Sequence, residues 1–185
     1  QILTSITRHD ILNSIMVAEG FLNFMEGPDA TLFSSYRENI HRTLQRIKRQ
    51  IQFTKEYETL GSQEPTWQNL DRVLQDLDIP PTLQLHKDHC GMEILADPML
   101  GKVFENLLDN SLRHGGDHLT RIRVSCAVSD ADFTITWEDN GCGVPSNEKE
   151  RIFERGFGKG TGLGLFLTRE ILGITGMTIL EAGIP

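Results

Sequence analysis

Three separated segments place amides, carboxylates, cations and glycines where they can hold a phosphorylated ligand. The first reads Glu105-Asn106-Leu107-Leu108-Asp109-Asn110-Ser111-Leu112-Arg113-His114. On a helix, Asn106, Asn110 and Arg113 fall at i, i+4 and i+7 and share a face. An amide oxygen there can ligate a hard cation such as Mg²⁺, and Arg113 and His114 can meet phosphate oxygens. Alone, this stripe is equally that of a solvated helix face. The second, Asp139-Asn140-Gly141-Cys142-Gly143-Val144-Pro145, sets a carboxylate at a strand end before G-x-G. Gly141 and Gly143 let backbone approach a flat ligand closely, while Asp139 accepts a hydrogen bond from an exocyclic amine. Alone, it is only a good turn. The third, Gly158-Lys159-Gly160-Thr161-Gly162-Leu163-Gly164-Leu165, is a glycine-rich loop that opens a helix. Free N–H groups at a helix start, with Lys159 nearby, suit phosphate. It matches neither G-x-x-x-x-G-K-[ST] nor G-x-G-x-x-G.

A fourth segment, Arg8-His9-Asp10-Ile11-Leu12-Asn13, offers an acceptor. A neutral imidazole is a competent nucleophile near neutral pH, and a neighbouring carboxylate can hold one ring nitrogen protonated while the other attacks. Asp10 suits that orienting role. Asn13, at i+4, lies on the face of His9, where its amide can position a water against a phosphorylated ring. A histidine on a helix is by itself more often structural; a phosphate site on the same chain reverses those odds. His41, His86, His89 and His118 have no comparable setting.

These groups need two kinds of scaffold. Residues 2–26 carry apolar side chains at helical spacing, and Gly27-Pro28-Asp29 breaks the pattern. From Leu32 to Leu60 a second helix shows Ile40, Leu44, Ile47 and Ile51 in heptad spacing. Two long helices joined by a short loop form an antiparallel hairpin, and its uncovered apolar stripe predicts a four-helix bundle with a second copy. Gly61-Ser62-Gln63-Glu64-Pro65 reads as a linker. Beyond it the pattern predicts a helix over Trp67–Leu77, strands at Leu83–Leu85 and Met92–Ala96, and a helix over Pro98–Arg113. Antiparallel strands Arg121–Val128 and Asp132–Glu138 follow, turning at Ser129-Asp130. A helix from Thr161 to Leu172 and a strand at Met177–Glu181 end the pattern. The fold class is α+β: a hairpin module at 1–61, a linker at 62–64 and an α/β sandwich at 65–185.

The formal charge of −8 argues against nucleic acid as a partner. Cys90, Cys126 and Cys142 are odd in number, widely spaced and free of C-x-x-C pairing, which predicts reduced thiols in a cytoplasmic protein. No apolar run reaches the roughly 20 residues of a membrane span. Because the helical pattern is already under way at Gln1, we expect a piece of a larger protein. Any membrane anchor then lies upstream.

In order and spacing, the three phosphate-type segments resemble the N, G1 and G2 boxes of the histidine-kinase ATP-binding domain, within the GHKL ATPase/kinase superfamily. Ile152-Phe153-Glu154-Arg155-Gly156-Phe157 resembles its F box. The resemblance covers roughly residues 65–185. It implies ATP and Mg²⁺ as cofactors, Asn110 as the Mg²⁺ ligand and Asp139 as the adenine reader, with Gly141 and Gly143 shaping that pocket. Asn106, Arg113 and His114 would line the site on the helix. Gly160, Gly162 and Gly164 would form a mobile phosphate lid, with Lys159, Thr161 and Leu163 among the nucleotide-binding residues. Gly158 stands where many relatives carry Arg, which leaves Arg155 or Lys159 as the γ-phosphate cation. The family's last strand, expected after Gly183, is missing. Hydrolytic members are known for a glutamate one helical turn before the Mg²⁺ asparagine; here that position is Asn106, and an amide cannot be a general base. Arg8–Asn13 resembles the H box of the phosphotransfer domain, with its H-[ED]-x-x-[NT] pattern. That likeness implies a homodimer, autophosphorylation of His9, transfer to an aspartate of a response-regulator receiver domain, and phosphatase activity through Asn13. The rival expectations are a GHKL-type serine kinase or ATPase and a catalytically dead nucleotide-binding scaffold.

Overall fold

A computed structural model describes residues 2–25, 32–88, 90–129, 132–158 and 161–184, with side chains from Thr7 onward. Two long helices, α1 (Ile2–Met25) and α2 (Phe33–Thr59), pack along each other. On α1, Thr7, Ser14 and Ala18 are buried and Ile11 half-buried. Their spacing of four, three and four is a heptad seam, and its small residues let the helices approach closely. Where α1 ends and α2 begins, Phe21 and Phe24 flank Tyr36 at 6.1 and 5.8 Å between ring centroids. The Gly27-Pro28-Asp29 break lies outside the described residues. The α2 stripe straddles the edge of this contact. Ile40 and Ile47 are half-buried, whereas Leu44 and Ile51 are exposed, beside exposed Leu12, Met16 and Leu22 of α1.

The remainder holds two small sheets. Strand β1 (Thr66–Asn69) pairs antiparallel with β3 (Glu93–Ala96). Strands β2 (Gln84–Asp88), β4 (Arg121–Val128) and β5 (Phe133–Asp139) form the other sheet in the order β2-β4-β5, with β2 parallel and β5 antiparallel to β4. The parallel pair requires a crossover, supplied by β3 and helix α4 (Leu100–His114). Alternate residues Ile122 and Val124 of β4 are fully buried under α4 residues Leu100, Val103, Phe104 and Leu108. Leu167 and Ile171 of α5 (Gly164–Gly173) and Leu70 and Leu74 of α3 (Leu70–Gln75) complete that core.

Three expectations change. The helix foreseen over Trp67–Leu77 is a strand followed by a short helix. Gln68 Nε2 donates to the carbonyls of Ala96 and Asp97 at 3.1 and 2.8 Å, fixing β1 on β3, and the Asn69 side chain then caps α3 by accepting from Arg72 N. The last helix begins at Gly164 and not at Thr161, because residues 161–163 stay unwound. Met177–Glu181 forms no strand, since among the described residues it has no ladder partner, and β5 is a sheet edge.

The end of α2 belongs to this second core. Phe53 and Tyr57 lie 6.2 and 6.4 Å from the Phe166 ring of α5, and Leu60 packs beside them. Glu56 accepts an ion pair from Lys102 of α4 at 3.0 Å. Burial opposes the Lys102 charge, but the hydrogen bond and charge of Glu56, aided by Glu105, outweigh it and raise the ammonium's pKa.

Candidate nucleotide and phosphoacceptor sites

Helix α4 and the β5 end create the first site. Asp139 is the last residue of β5, and both its oxygens are engaged. Gly141 N donates to Oδ1 at 3.0 Å, and the Ser111 hydroxyl donates to Oδ2 at 2.6 Å. Beyond Asp139 the chain turns across the C-terminal end of α4, where Cys142 N donates to Gly115 O at 3.1 Å. A Cβ on Gly141 would sit 2.5 Å from Gly115 Cα and 2.8 Å from Gly115 O, so only glycine permits this crossing. Gly143 adopts φ of 70°, the left-handed region. Asn140 follows Asp139 and clamps the other side, accepting from Thr120 N and Arg121 N and donating to His118 O.

Along α4 the three expected polar residues have different surroundings. Asn106 Nδ2 donates to Gly164 O at 3.0 Å and Thr168 Oγ1 at 3.3 Å, so this amide ties α4 to the start of α5. Asn110 is half-buried, and among the described residues no hydrogen bond engages its amide. Arg113 is exposed and pairs with Asp109 at 2.7 Å. Such a surface pair is worth at most about 1 kcal/mol and is readily exchanged for phosphate. His114 is also exposed, and its carbonyl accepts from the Cys142 thiol. Arg49 of α2 adds charge near this end of α4. Its pKa is lowered, first by burial and then by the neighbouring charge of Arg113, with Asp109 acting in the opposite sense.

Between the F-box segment and α5, Gly156 N donates to Gly162 O at 2.9 Å. Gly162 has φ of 61°, and a Cβ there would meet Gly156 C and Phe157 N at 2.4 Å. Arg151 covers the Phe157 ring at 4.6 Å. Thr161 is half-buried and Leu163 buried, and no side chain caps the α5 N-terminus at Leu163. Its first N–H groups therefore lack intrahelical partners. Lys159 and Gly160 lie outside the described residues. Arg155, the other candidate γ-phosphate cation, instead donates from Nη2 to Thr7 Oγ1 at 3.3 Å. That contact ties the F-box segment to the helix carrying His9, two residues from Thr7.

The second site is the outer face of α1. His9 is 72% exposed; its Nδ1 lies 3.5 Å from Asp10 Oδ1. Asn13 Nδ2 sits 3.3 Å from Nδ1 and 3.5 Å from Nε2. Near-equal distances to both nitrogens put the amide against the ring, not along a lone pair, so Asn13 itself captures neither nitrogen.

Sequence reasoning missed Ser111, Trp137, Gly115 and Asn140. Ser111 was detectable. It shares a helix face with Phe104 and Leu108 at i+7 and i+3, and a hydroxyl in a core stripe needs a partner.

Residues 96–180 match the family described as histidine kinase-, DNA gyrase B-, and HSP90-like ATPase. The signal transduction histidine-protein kinase AfsQ2 of Streptomyces coelicolor is 33% identical over 104 residues, covering 51% of this chain and 19% of AfsQ2. The sensor-type histidine kinase PrrB of Mycobacterium leprae is 38% identical over 73 residues, 36% of this chain and 16% of PrrB. The chain thus spans less than a quarter of these relatives' length. Among solved structures, the ATP binding domain of PrrB from Mycobacterium tuberculosis superposes with a TM-score of 0.55 at 28% identity, covering 66% of this chain and 90% of that one. The Acinetobacter baumannii histidine kinase AdeS shares the fold over 90% of this chain and 86% of its own, with a TM-score of 0.62 at 20% identity. Residues 96–180 thus form a domain of the histidine kinase-, DNA gyrase B-, and HSP90-like ATPase type, and the chain is similar to sensor histidine kinases.

Proposed function

We propose that the chain binds ATP between α4, the Asp139–Gly143 turn and the 158–164 loop, and transfers the γ-phosphoryl group to His9. The observation that carries this reading is an exposed imidazole flanked by Asp10 and Asn13 on the same chain as an ATPase-family domain. The two modules are residues 1–61 and 65–185, and their division of labour is acceptor and donor. A neutral ring nitrogen of His9 attacks the γ-phosphorus, the bond to the bridging oxygen breaks, and ADP leaves. Asp10 holds and then accepts the proton of the other nitrogen. The donor set fits the ligands. Each Asp139 oxygen takes one bond from the protein and keeps a lone pair for the adenine amine, and the free Asn110 amide would hold Mg²⁺. Bound Mg²⁺ neutralises phosphate charge. Arg113, His114 and the α5 N-terminus face the same anion in this reading, with Lys159 as the γ-phosphate cation while Arg155 engages Thr7.

The phosphoryl group then passes to an aspartate of a receiver domain, and Asn13 orients the water that removes it. The cytoplasm, where such a partner and ATP meet, is the location this reading requires. Asn106 supports phosphotransfer over hydrolysis: it is no general base, and its amide is engaged with α5. Incubation with γ-labelled ATP and Mg²⁺ separates the readings. Label on the protein that is acid-labile and alkali-stable supports the kinase. Acid-stable label indicates a serine kinase, phosphate release alone an ATPase, and binding without either a scaffold.

A further inference from the structure

We propose that Ser111 and Trp137 form a directed hydrogen-bond relay that fixes Asp139 for the base and so sets the preference for adenine over other purines. This rests on the ATP reading above. Ser111 is 3% exposed, in the core stripe of α4. Its Oγ lies 2.6 Å from Asp139 Oδ2 and 3.2 Å from Trp137 Nε1. An indole nitrogen only donates, so Ser111 must accept from Trp137. Its single hydroxyl proton is thereby directed at Asp139, at the short distance of a charge-assisted bond. Trp137 is itself fixed, packed 6.1 Å from the Phe104 ring.

The consequence is a carboxylate with no rotational choice. Oδ2 is held by Ser111 and Oδ1 by Gly141 N, from opposite sides of the group's surroundings: a core helix and the turn. What it offers a base is therefore lone pairs in one fixed plane. A 6-amino group meets an acceptor there; a 6-oxo group meets repulsion, and a bare ring edge leaves the acceptor unpaired. Trp137 and Ser111 touch no ligand in this scheme. They are positioning residues, acting through Asp139.

The test is equilibrium binding of ATP and of purine riboside triphosphate, which lacks the 6-amino group, to the intact chain with Mg²⁺. The native chain should bind ATP more tightly by about tenfold or more, the range for a hydrogen bond to a charged group. In Ser111→Ala that ratio should collapse toward one, through weaker ATP binding with the analogue unchanged, and Ser111→Thr should restore it. Trp137→Phe, which keeps the ring against Phe104, should lower the ratio too and serves if Ser111→Ala does not fold. Parallel loss of both ligands in the variants would mean a merely structural role and overturn the relay. Equal binding of both ligands by the native chain would also overturn it while leaving the ATP reading intact. Failure of the native chain to bind either would sink both.

Discussion

Asn13 rests against the His9 ring without capturing either nitrogen, which separates two roles that a tighter contact would merge. Asn13→Ala should leave phosphorylation of His9 within a few-fold of native and slow dephosphorylation of a receiver domain on the order of a hundredfold. Equal loss of both rates would contradict that division. The thiols give a second residue-scale prediction. Burial, with the Cys90 thiol 3.1 Å away, pushes Cys126 up to about 12, whereas Cys142 is exposed on the Asp139–Gly143 turn. Iodoacetamide at pH 8 should modify Cys142 first, more slowly with ATP bound, and reach Cys126 only on unfolding. The folded chain holds the Cys126 proton more tightly than the unfolded one. Its contribution to stability is therefore complete below pH 9 and lost between pH 9 and 12. At this scale the sequence displayed the polar residues but not their partners. Asp139 was legible from its strand-end carboxylate before G-x-G. The bonds that Ser111 makes to Asp139 and Trp137 were not, because they join residues 28 and 26 positions apart across the sandwich.

Elements place those residues through close contacts that allow little substitution. Gly141→Ala would drive a methyl into the Gly115 backbone, and backbone cannot rotate away. We expect a loss of about 1–3 kcal/mol in a urea titration, with weakened ATP binding. An unchanged midpoint would contradict the crossing geometry. The Glu56–Lys102 pair joins α2 to α4 and is largely shielded from water. Because the Lys102 pKa is raised on folding, its stabilisation is complete below the unfolded value near 10.5 and disappears as pH climbs through the higher folded value. Glu56→Gln should therefore lower stability by about 1–2 kcal/mol at pH 8, and the gap should narrow at higher pH. A gap constant with pH would assign the effect to packing. Strands β4 and β5 were readable, since alternation of Ile122 and Val124 with polar neighbours is a local signal. The β1 strand was not: Trp67–Leu77 has helical spacing, and only the distant β3 edge and Gln68 bonds override it.

For the whole molecule, the outward apolar residues of the hairpin are the unresolved surface. Met16 is 66% exposed and Leu44 53%, with Leu12, Leu22 and Ile51 alongside. Burying them against a second copy gives the four-helix bundle that the heptad spacing predicts. Sedimentation should give twice the chain mass, and Met16→Arg with Leu44→Arg should give a monomer; a monomeric native chain would remove the dimer. In the function proposed, the ATPase-type domain and His9 serve one reaction. Its most direct test is to incubate the chain with Mg²⁺ and ATP, then map the modification by fragmentation at neutral to alkaline pH. One phosphoryl group should appear on His9, lost in acid and absent from His9→Gln. A phosphoryl group on any other residue, or ATP turnover with His9 unmodified, would contradict it.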